Sequence, residues 1–196
     1  EKLHFDPRLI GTLALSGLLL ALHFALWIWS LDLVSVNSSV IFVTTSPLWV
    51  GFLSPLVLKE KVPNRFYVGV LFAFMGGLHI AILGNNNGGS NTLPGLLMAL
   101  LSAWMVAGYL LVGRKVAKRM STELYVSIVY SIAAVVLGFF LLIIEKGLPT
   151  YPPRIYLIFL LLALVPQTLG HTSMNKALTR LPARVVSLAL LFEPIG

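Results

Sequence analysis

The stretch Ser30-Leu-Asp-Leu-Val-Ser-Val-Asn-Ser-Ser-Val-Ile-Phe-Val-Thr-Thr-Ser-Pro47 has a degenerate second copy, Ala177-Leu-Thr-Arg-Leu-Pro-Ala-Arg-Val-Val-Ser-Leu-Ala-Leu-Leu-Phe-Glu-Pro194, at an offset of 147 positions. Identities are few, but the order is shared. Each copy reads as a helix end, a short polar turn, small residues, an apolar run and a proline. The turns differ in charge: the first carries Asp32 and no base, the second Arg180 and Arg184. In a membrane protein, basic residues mark the cytoplasmic side. The two copies therefore point in opposite directions through a bilayer. Five spans separate equivalent points, and an odd number is what inverts a copy.

That a bilayer is the medium follows from composition. The chain is 58% hydrophobic and 11% charged, whereas a soluble domain is about a quarter charged. A water-soluble fold of 196 residues could not hide this much apolar surface. Apolar stretches cover residues 9–31, 35–57, 66–84, 93–113, 124–144 and 155–178, and a last one begins near 183. A helix needs about 20 apolar residues to cross lipid. The stretches lack the period-two alternation of a barrel, and lipid satisfies no backbone polar group. The expected fold is an all-α, polytopic membrane helix bundle with antiparallel sequence neighbours and no sheet.

Charge orients the bundle. Lys2 and Arg8 precede the first span. Lys59, Lys61 and Arg65 follow the second, Arg114, Lys115, Lys118 and Arg119 the fourth, and Lys176, Arg180 and Arg184 the sixth. The intervening gaps hold only Lys146 and Arg154. This bias places Glu1 in the cytoplasm and the Asn/Gly loop 84–92 outside. The net charge of +7 then belongs to inner-face loops beside anionic lipid, not to a nucleic-acid surface. Zero cysteines exclude disulfides and thiolate metal sites.

Inverted-topology repeats are a mark of secondary transporters. If the unit is five helices, spans 93–113 and 124–144 lack partners ahead of residue 1, and segment 50–84 lacks one after residue 196. The expectation is therefore helices three to nine of a ten-helix protein, a truncated pair of inverted five-helix repeats. Residues 1–84 would hold helices three to five of the first repeat. Residues 93–196 would hold helices six to nine of the second, with the ninth incomplete. A self-contained seven-span protein is the alternative.

The stretch from Ala25 to Gly77 carries a family resemblance. A short turn leads to Ser38-Ser39-Val40-Ile41, then Thr45-Ser46-Pro47-Leu48, Leu58-Lys59-Glu60-Lys61, and a helix with Gly69, Ala73, Gly76 and Gly77. The second half adds Leu191-Phe192-Glu193-Pro194. In order and spacing this resembles the EamA type of the drug/metabolite transporter superfamily. Lys59 and Lys61 stand where Gly and Arg are commoner in that family. The resemblance implies a ten-helix permease whose third, fourth, eighth and ninth helices frame a central cavity. It favours export, and it spans amino acids, sugars, nucleobase-like metabolites and drugs as substrates.

Candidate cavity residues are the polar and aromatic side chains at membrane depth, where they are costly unless they face a cavity or a partner helix. Gln167, His171 and Asn175 stand at i, i+4 and i+8, one stripe of a helix, flanked by Thr168 and Thr172. They would bind a polar solute or bond neighbouring helices. His23 and Trp27 share a face of the first span with Ser30. His23 lies one residue from the repeat mate of His171 and could relay protons or sit buried and neutral. Trp27 is a cavity wall or, like Trp29, part of an interfacial belt. Thr44, Thr45 and Ser46 precede Pro47, whose missing N–H frees a carbonyl and lets the helix break. Glu193 is the one acid well inside a span and would bind an amino group or a proton, or pair with another helix. Trp104, with Gly108 and Tyr109 nearby, could supply an aromatic wall. Gly69, Ala73 and Gly77 form a small-residue stripe expected to pack closely, and His79 beside them reads as structural.

The leading expectation is a secondary-active transporter. It would export a small polar or amphipathic metabolite, an amino acid or related compound, by alternating access. A non-transporting membrane scaffold is the second reading. An intramembrane enzyme is the third, and it needs a nucleophile–base pair or clustered ligands. The four histidines are scattered, and no Gly-x-Ser-x-Gly or phosphate-cradling glycine loop occurs. No catalytic residue, metal or cofactor is expected. The partners are a small solute and the lipid bilayer, with a homodimer left open. With no targeting segment visible, a bacterial inner membrane is the expected location.

Overall fold

The computed structural model covers residues 6–84, 92–117, 119–144, 147 and 149–195, without the side chains of residues 73, 77, 78, 80–84 and 192–195. The loop 85–91, Lys2 and Lys118 lie outside the described residues. Among the described residues the chain is helical, with no strand. Five segments are long and apolar enough to cross a membrane: Pro7–Leu31, Val36–Val57, Leu93–Val116, Thr122–Ile144 and Pro153–Leu178. α4 (Asn64–Gly84) adds a further 21-residue helix.

The boundaries are set by local chemistry. α1 (Pro7–Leu31) starts with proline in its first turn, and the Asp6 carboxylate accepts from the Leu9 N–H at 2.6 Å, satisfying an otherwise orphan helix donor. α5 (Leu93–Val116) starts on Thr92, whose hydroxyl oxygen accepts from the Gly95 N–H at 3.3 Å. The Thr92 hydroxyl lies 3.2 Å from the Leu33 carbonyl, tying the start of α5 to the end of α1. Contacts along α1 and α5 run in opposite order. Leu33 meets Thr92, His23 meets Ser102 and Leu19 meets Gly108. The two helices are antiparallel neighbours.

The second apolar segment is two helices. α2 (Val36–Val43) stops at Thr44, and α3 (Ser46–Val57) begins with Pro47 in its first turn. The Thr44 and Thr45 hydroxyls donate to the carbonyls of Ile41 and Phe42 at 3.0 and 2.7 Å. They thus satisfy carbonyls that the interrupted ladder frees. The sixth segment is also interrupted. α7 (Pro153–Leu162) passes into a π-helical segment, Ala163–His171, before α8 (Thr172–Leu178). Pro166 inside that segment has no N–H to donate and crowds the preceding turn. The chain widens around it, and the Thr168 hydroxyl donates to the Ala163 carbonyl five residues back at 2.7 Å. Such bulges are frequent at functional sites. α6 (Thr122–Ile144) completes the long helices, and α9 (Ala183–Ser187) runs on into a 3-10 segment, Leu188–Ile195. The ends of α1 and α8, Leu31 and Leu178, and the starts of α2 and α9, Val36 and Ala183, share the offset of the two sequence copies.

α1, α5 and α6 form the packed centre through Leu13, Leu20, Val106, Leu110, Tyr125 and Val129. Close approach is made at glycines other than the expected stripe. A Cβ on Gly17 would lie 2.5 Å from Ile132, and one on Gly95 would lie 2.7 Å from Leu33 and Val34. A Cβ on Gly69 would meet nothing within 4 Å. The small-residue face expected at Gly69 is therefore open at that position; the close approach to α4 is made instead at Phe66 and Tyr67, by Gly51 of α3. α7 buries none of its residues.

Candidate functional site

A cavity of about 740 Å³ lies between α1, α2, α5, the π segment with α8, and the 3-10 segment. His23 and Trp27 line it from α1, Gln167 and His171 from the π segment, Val43 from α2 and Leu190 from the 3-10 segment. The size is in the range of small-molecule sites. Ile28 and Leu31 extend it towards the Leu33–Thr92 end of the bundle.

The π winding explains which polar groups reach it. On a regular helix, Gln167, His171 and Asn175 form one stripe. Here Gln167 and His171 line the cavity and Met174 takes the third place. Asn175 is buried, and its amide nitrogen donates to the Tyr109 hydroxyl and, at 2.8 Å, to the His171 carbonyl. It lines a second, small pocket with Gly113, Tyr125 and Thr179.

His23 is held by α5. Its Nδ1 lies 2.8 Å from the Ser102 hydroxyl oxygen and 3.1 Å from the Ser102 carbonyl, while that hydroxyl lies 2.9 Å from the His23 carbonyl. Trp27 stacks on the His23 ring, with centroids 6.0 Å apart and planes at 22°. The His171 ring is 6.5 Å from His23 and edge-on to Phe24 at 5.4 Å. The Nδ1 of His171 and the Nε1 of Trp27 are buried without a hydrogen-bond partner. Residues from both halves of the chain thus meet at one aromatic wall.

The other sequence candidates lie elsewhere. Thr44 is buried, with its hydroxyl engaged by Ile41; its neighbour Val43 is the one that touches the cavity. Trp104 is 44% exposed and packs on Trp49 at 4.6 Å, away from the cavity. The Glu193 side chain lies outside the described residues. Sequence reasoning passed over Phe24 and Met174, because an apolar residue in an apolar span carries no local signal of facing a cavity.

The opposite end of the bundle carries a charge cluster. Glu60, just after α3, lies 3.2 Å from the Arg114 Nε at the end of α5 and 3.4 Å from an Arg184 nitrogen in α9. Arg114 also donates to the Leu178 carbonyl at the end of α8 at 2.6 Å. One carboxylate thus joins the first half of the chain to two elements of the second. No group of three or more His, Asp or Glu placed to hold a metal occurs among the described residues.

No curated relative and no solved structure matches the chain. The family model described as the EamA-like transporter family matches residues 1–82 and 93–196. With its membrane-length helices and this match across nearly its whole length, the chain is an integral, multi-pass membrane protein and belongs to the EamA-like transporter family.

Proposed function

We propose that this protein is a secondary-active transporter that moves a small polar or amphipathic metabolite by alternating access, in the direction of export. The observation that carries this reading is the cavity itself. It is walled by α1 and α2 on one side and by the π and 3-10 segments on the other, with unpartnered polar side chains at its wall. The chain is bound at the far end by the Glu60 cluster. The positive-inside bias puts that cluster on the cytoplasmic side, so the cavity extends outwards from the membrane interior. Closing one end while the other is accessible is what alternating access requires. A bacterial inner membrane, with residue 1 in the cytoplasm, fits the same bias. Glu193, on the 3-10 segment that supplies Leu190 to the cavity, is retained as a solute-binding candidate.

The test is flux in proteoliposomes that hold the full-length protein, with a panel of labelled amino acids and related metabolites. Gln167→Ala, His171→Ala and Glu193→Gln are each expected to lower flux at unchanged membrane insertion. Parental rates in all three would make these side chains packing groups, and the absence of flux for every solute in the panel would favour the scaffold reading.

A further inference from the structure

The Asn175 side chain is only half served by its protein neighbours. The His171 carbonyl can only accept, so the amide nitrogen must face it, at 2.8 Å, and that nitrogen also donates to the Tyr109 hydroxyl. The orientation of the amide is thereby fixed. Its oxygen, Oδ1, is buried with no hydrogen-bond partner among the described residues, in a residue only 3% exposed. Buried acceptors in native proteins are paired with a protein donor or with ordered water.

Oδ1 borders the small pocket at the inner end of the bundle, whose volume is about 10 Å³. That is about the room one water molecule needs. Gly113 opens the space: a Cβ there would lie 3.4 Å from Oδ1 and 3.1 Å from the Tyr125 hydroxyl, so both atoms face the same side of α5. The Tyr125 hydroxyl lies 2.6 Å from the Ser16 hydroxyl. Two hydroxyls carry two hydrogens and their mutual bond uses one, so the pair has one left to give. The Thr179 hydroxyl, also at the pocket, donates to the Lys176 carbonyl at 2.7 Å and keeps its lone pairs as acceptors. An occupant must therefore donate to Oδ1, accept from or donate to Tyr125, and be no larger than a single heavy atom. Water meets all three conditions.

We propose that Gly113, Tyr125 and Asn175 form a binding site for one ordered water molecule, which bridges the Asn175 amide oxygen on α8 to the Tyr125 hydroxyl on α6. A bridging water is nearly as favourable in enthalpy as a direct bond. Through Ser16 the bridge reaches α1, beside the point where Arg114 holds the Leu178 carbonyl. The test is X-ray radiolytic footprinting of the full-length protein in nanodiscs, read by mass spectrometry. A bound water is cleaved in place and oxidises the side chain it touches, even a buried one. Tyr125, 4% exposed, should be oxidised at least about fivefold faster than Tyr109, which is fully buried and does not line the pocket. Free glutamine, a scavenger of radicals in bulk water, should suppress oxidation of the exposed Tyr151 but not of Tyr125. Gly113→Ala, whose methyl takes up the space, should lower the Tyr125 rate at least about fivefold, with circular dichroism checking the fold. Lys118, next in sequence to Ala117 at the pocket, is the competing donor, and Lys118→Ala should leave the Tyr125 rate unchanged. The proposal fails if Tyr125 is as slow as Tyr109, if the scavenger protects Tyr125 as it protects Tyr151, or if folded Gly113→Ala is oxidised like the parent. Oxidation that appears only in Lys118→Ala would assign the site to that ammonium group and also overturn it. If Gly113→Ala does not fold, the comparison with Tyr109 and the scavenger decide. None of these readouts depends on flux, so the water site and the transport reading stand or fall separately.

Discussion

Replacing Glu60 by glutamine should loosen the charged end of the bundle and expose its interior. The carboxylate holds two guanidinium groups at 3.2 and 3.4 Å, and the three side chains are only 15–21% exposed. Fully exposed pairs are worth about 0.2–1 kcal/mol, and breaking a buried pair costs about 3–5 kcal/mol. Two pairs at partial exposure place the loss at about 1–2 kcal/mol, discounted for the water that still reaches them. Glutamine keeps the shape, and Arg114 keeps its bond to the Leu178 carbonyl, so the fold should survive. A shift of about 1.4 kcal/mol is tenfold in an equilibrium. The native chain has no cysteine, so a single Thr179→Cys reporter, in the small pocket beside Asn175, labels without background. A membrane-impermeant maleimide should react about five- to thirtyfold faster in Glu60→Gln than in the parent. Arg184→Gln added to Glu60→Gln should add little, because the two changes remove a shared contact. A labelling rate within twofold of the parent, in a protein that inserts and folds normally, would show that the cluster does not hold this end closed.

Three further outcomes follow from packing and backbone geometry. Gly17→Ala, whose new methyl would press on Ile132 and the Val129 carbonyl, should destabilise the protein by about 1–3 kcal/mol, whereas Gly69→Ala, facing open space, should not lower stability; thermal unfolding in detergent compares the two. Lys59 adopts φ 57°, a left-handed conformation that costs an L-residue about 1–2 kcal/mol, so Lys59→Gly should raise stability by about 0.5–1 kcal/mol after glycine's greater chain entropy is set against it. Tyr109→Phe removes the hydroxyl that accepts from Asn175 and should cost about 1–3 kcal/mol, read as a lower unfolding midpoint; an unchanged midpoint would mean that Asn175 finds another partner.

The resemblance at Leu58-Lys59-Glu60-Lys61 and the backbone meet at one residue. The family pattern more often has glycine where this chain has Lys59, and Lys59 is the described non-glycine residue with positive φ. The unusual residue was legible in the sequence; the conformation that makes glycine favourable there was not. Pro47 and Pro166 show the same division. Pro47 marks a break in its apolar span from sequence alone, since proline has no N–H to give, whereas the reading of Gln167, His171 and Asn175 as one regular stripe leaves Pro166 out. The break takes a hydroxyl-capped turn at Thr44 and Thr45, but a π segment after Ala163. Which form results depends on the side chains available to collect the freed carbonyls.

The sequence by itself determined the solvent, the helical fold, the span boundaries to within a few residues and the alternation of charge. Each of these follows from local composition or from nearest-neighbour chemistry such as Asp6 and Thr92 at helix starts. It also singled out His23, Trp27, Gln167 and His171, because polar and aromatic groups are conspicuous in an apolar span. Only the tertiary structure decided that these four share one cavity, that Asn175 turns instead to Tyr109, and that Glu60 spans Arg114 and Arg184. Those outcomes depend on contacts between residues far apart in the chain, such as Glu60 with Arg114 and Arg184, and His23 with His171. Hydropathy fixes how deep a side chain sits in the bilayer, but it does not fix which neighbour it meets there, because the helix rotation that chooses the neighbour is set by packing at Gly17, Gly95 and Tyr109 and by the extra width of one π turn.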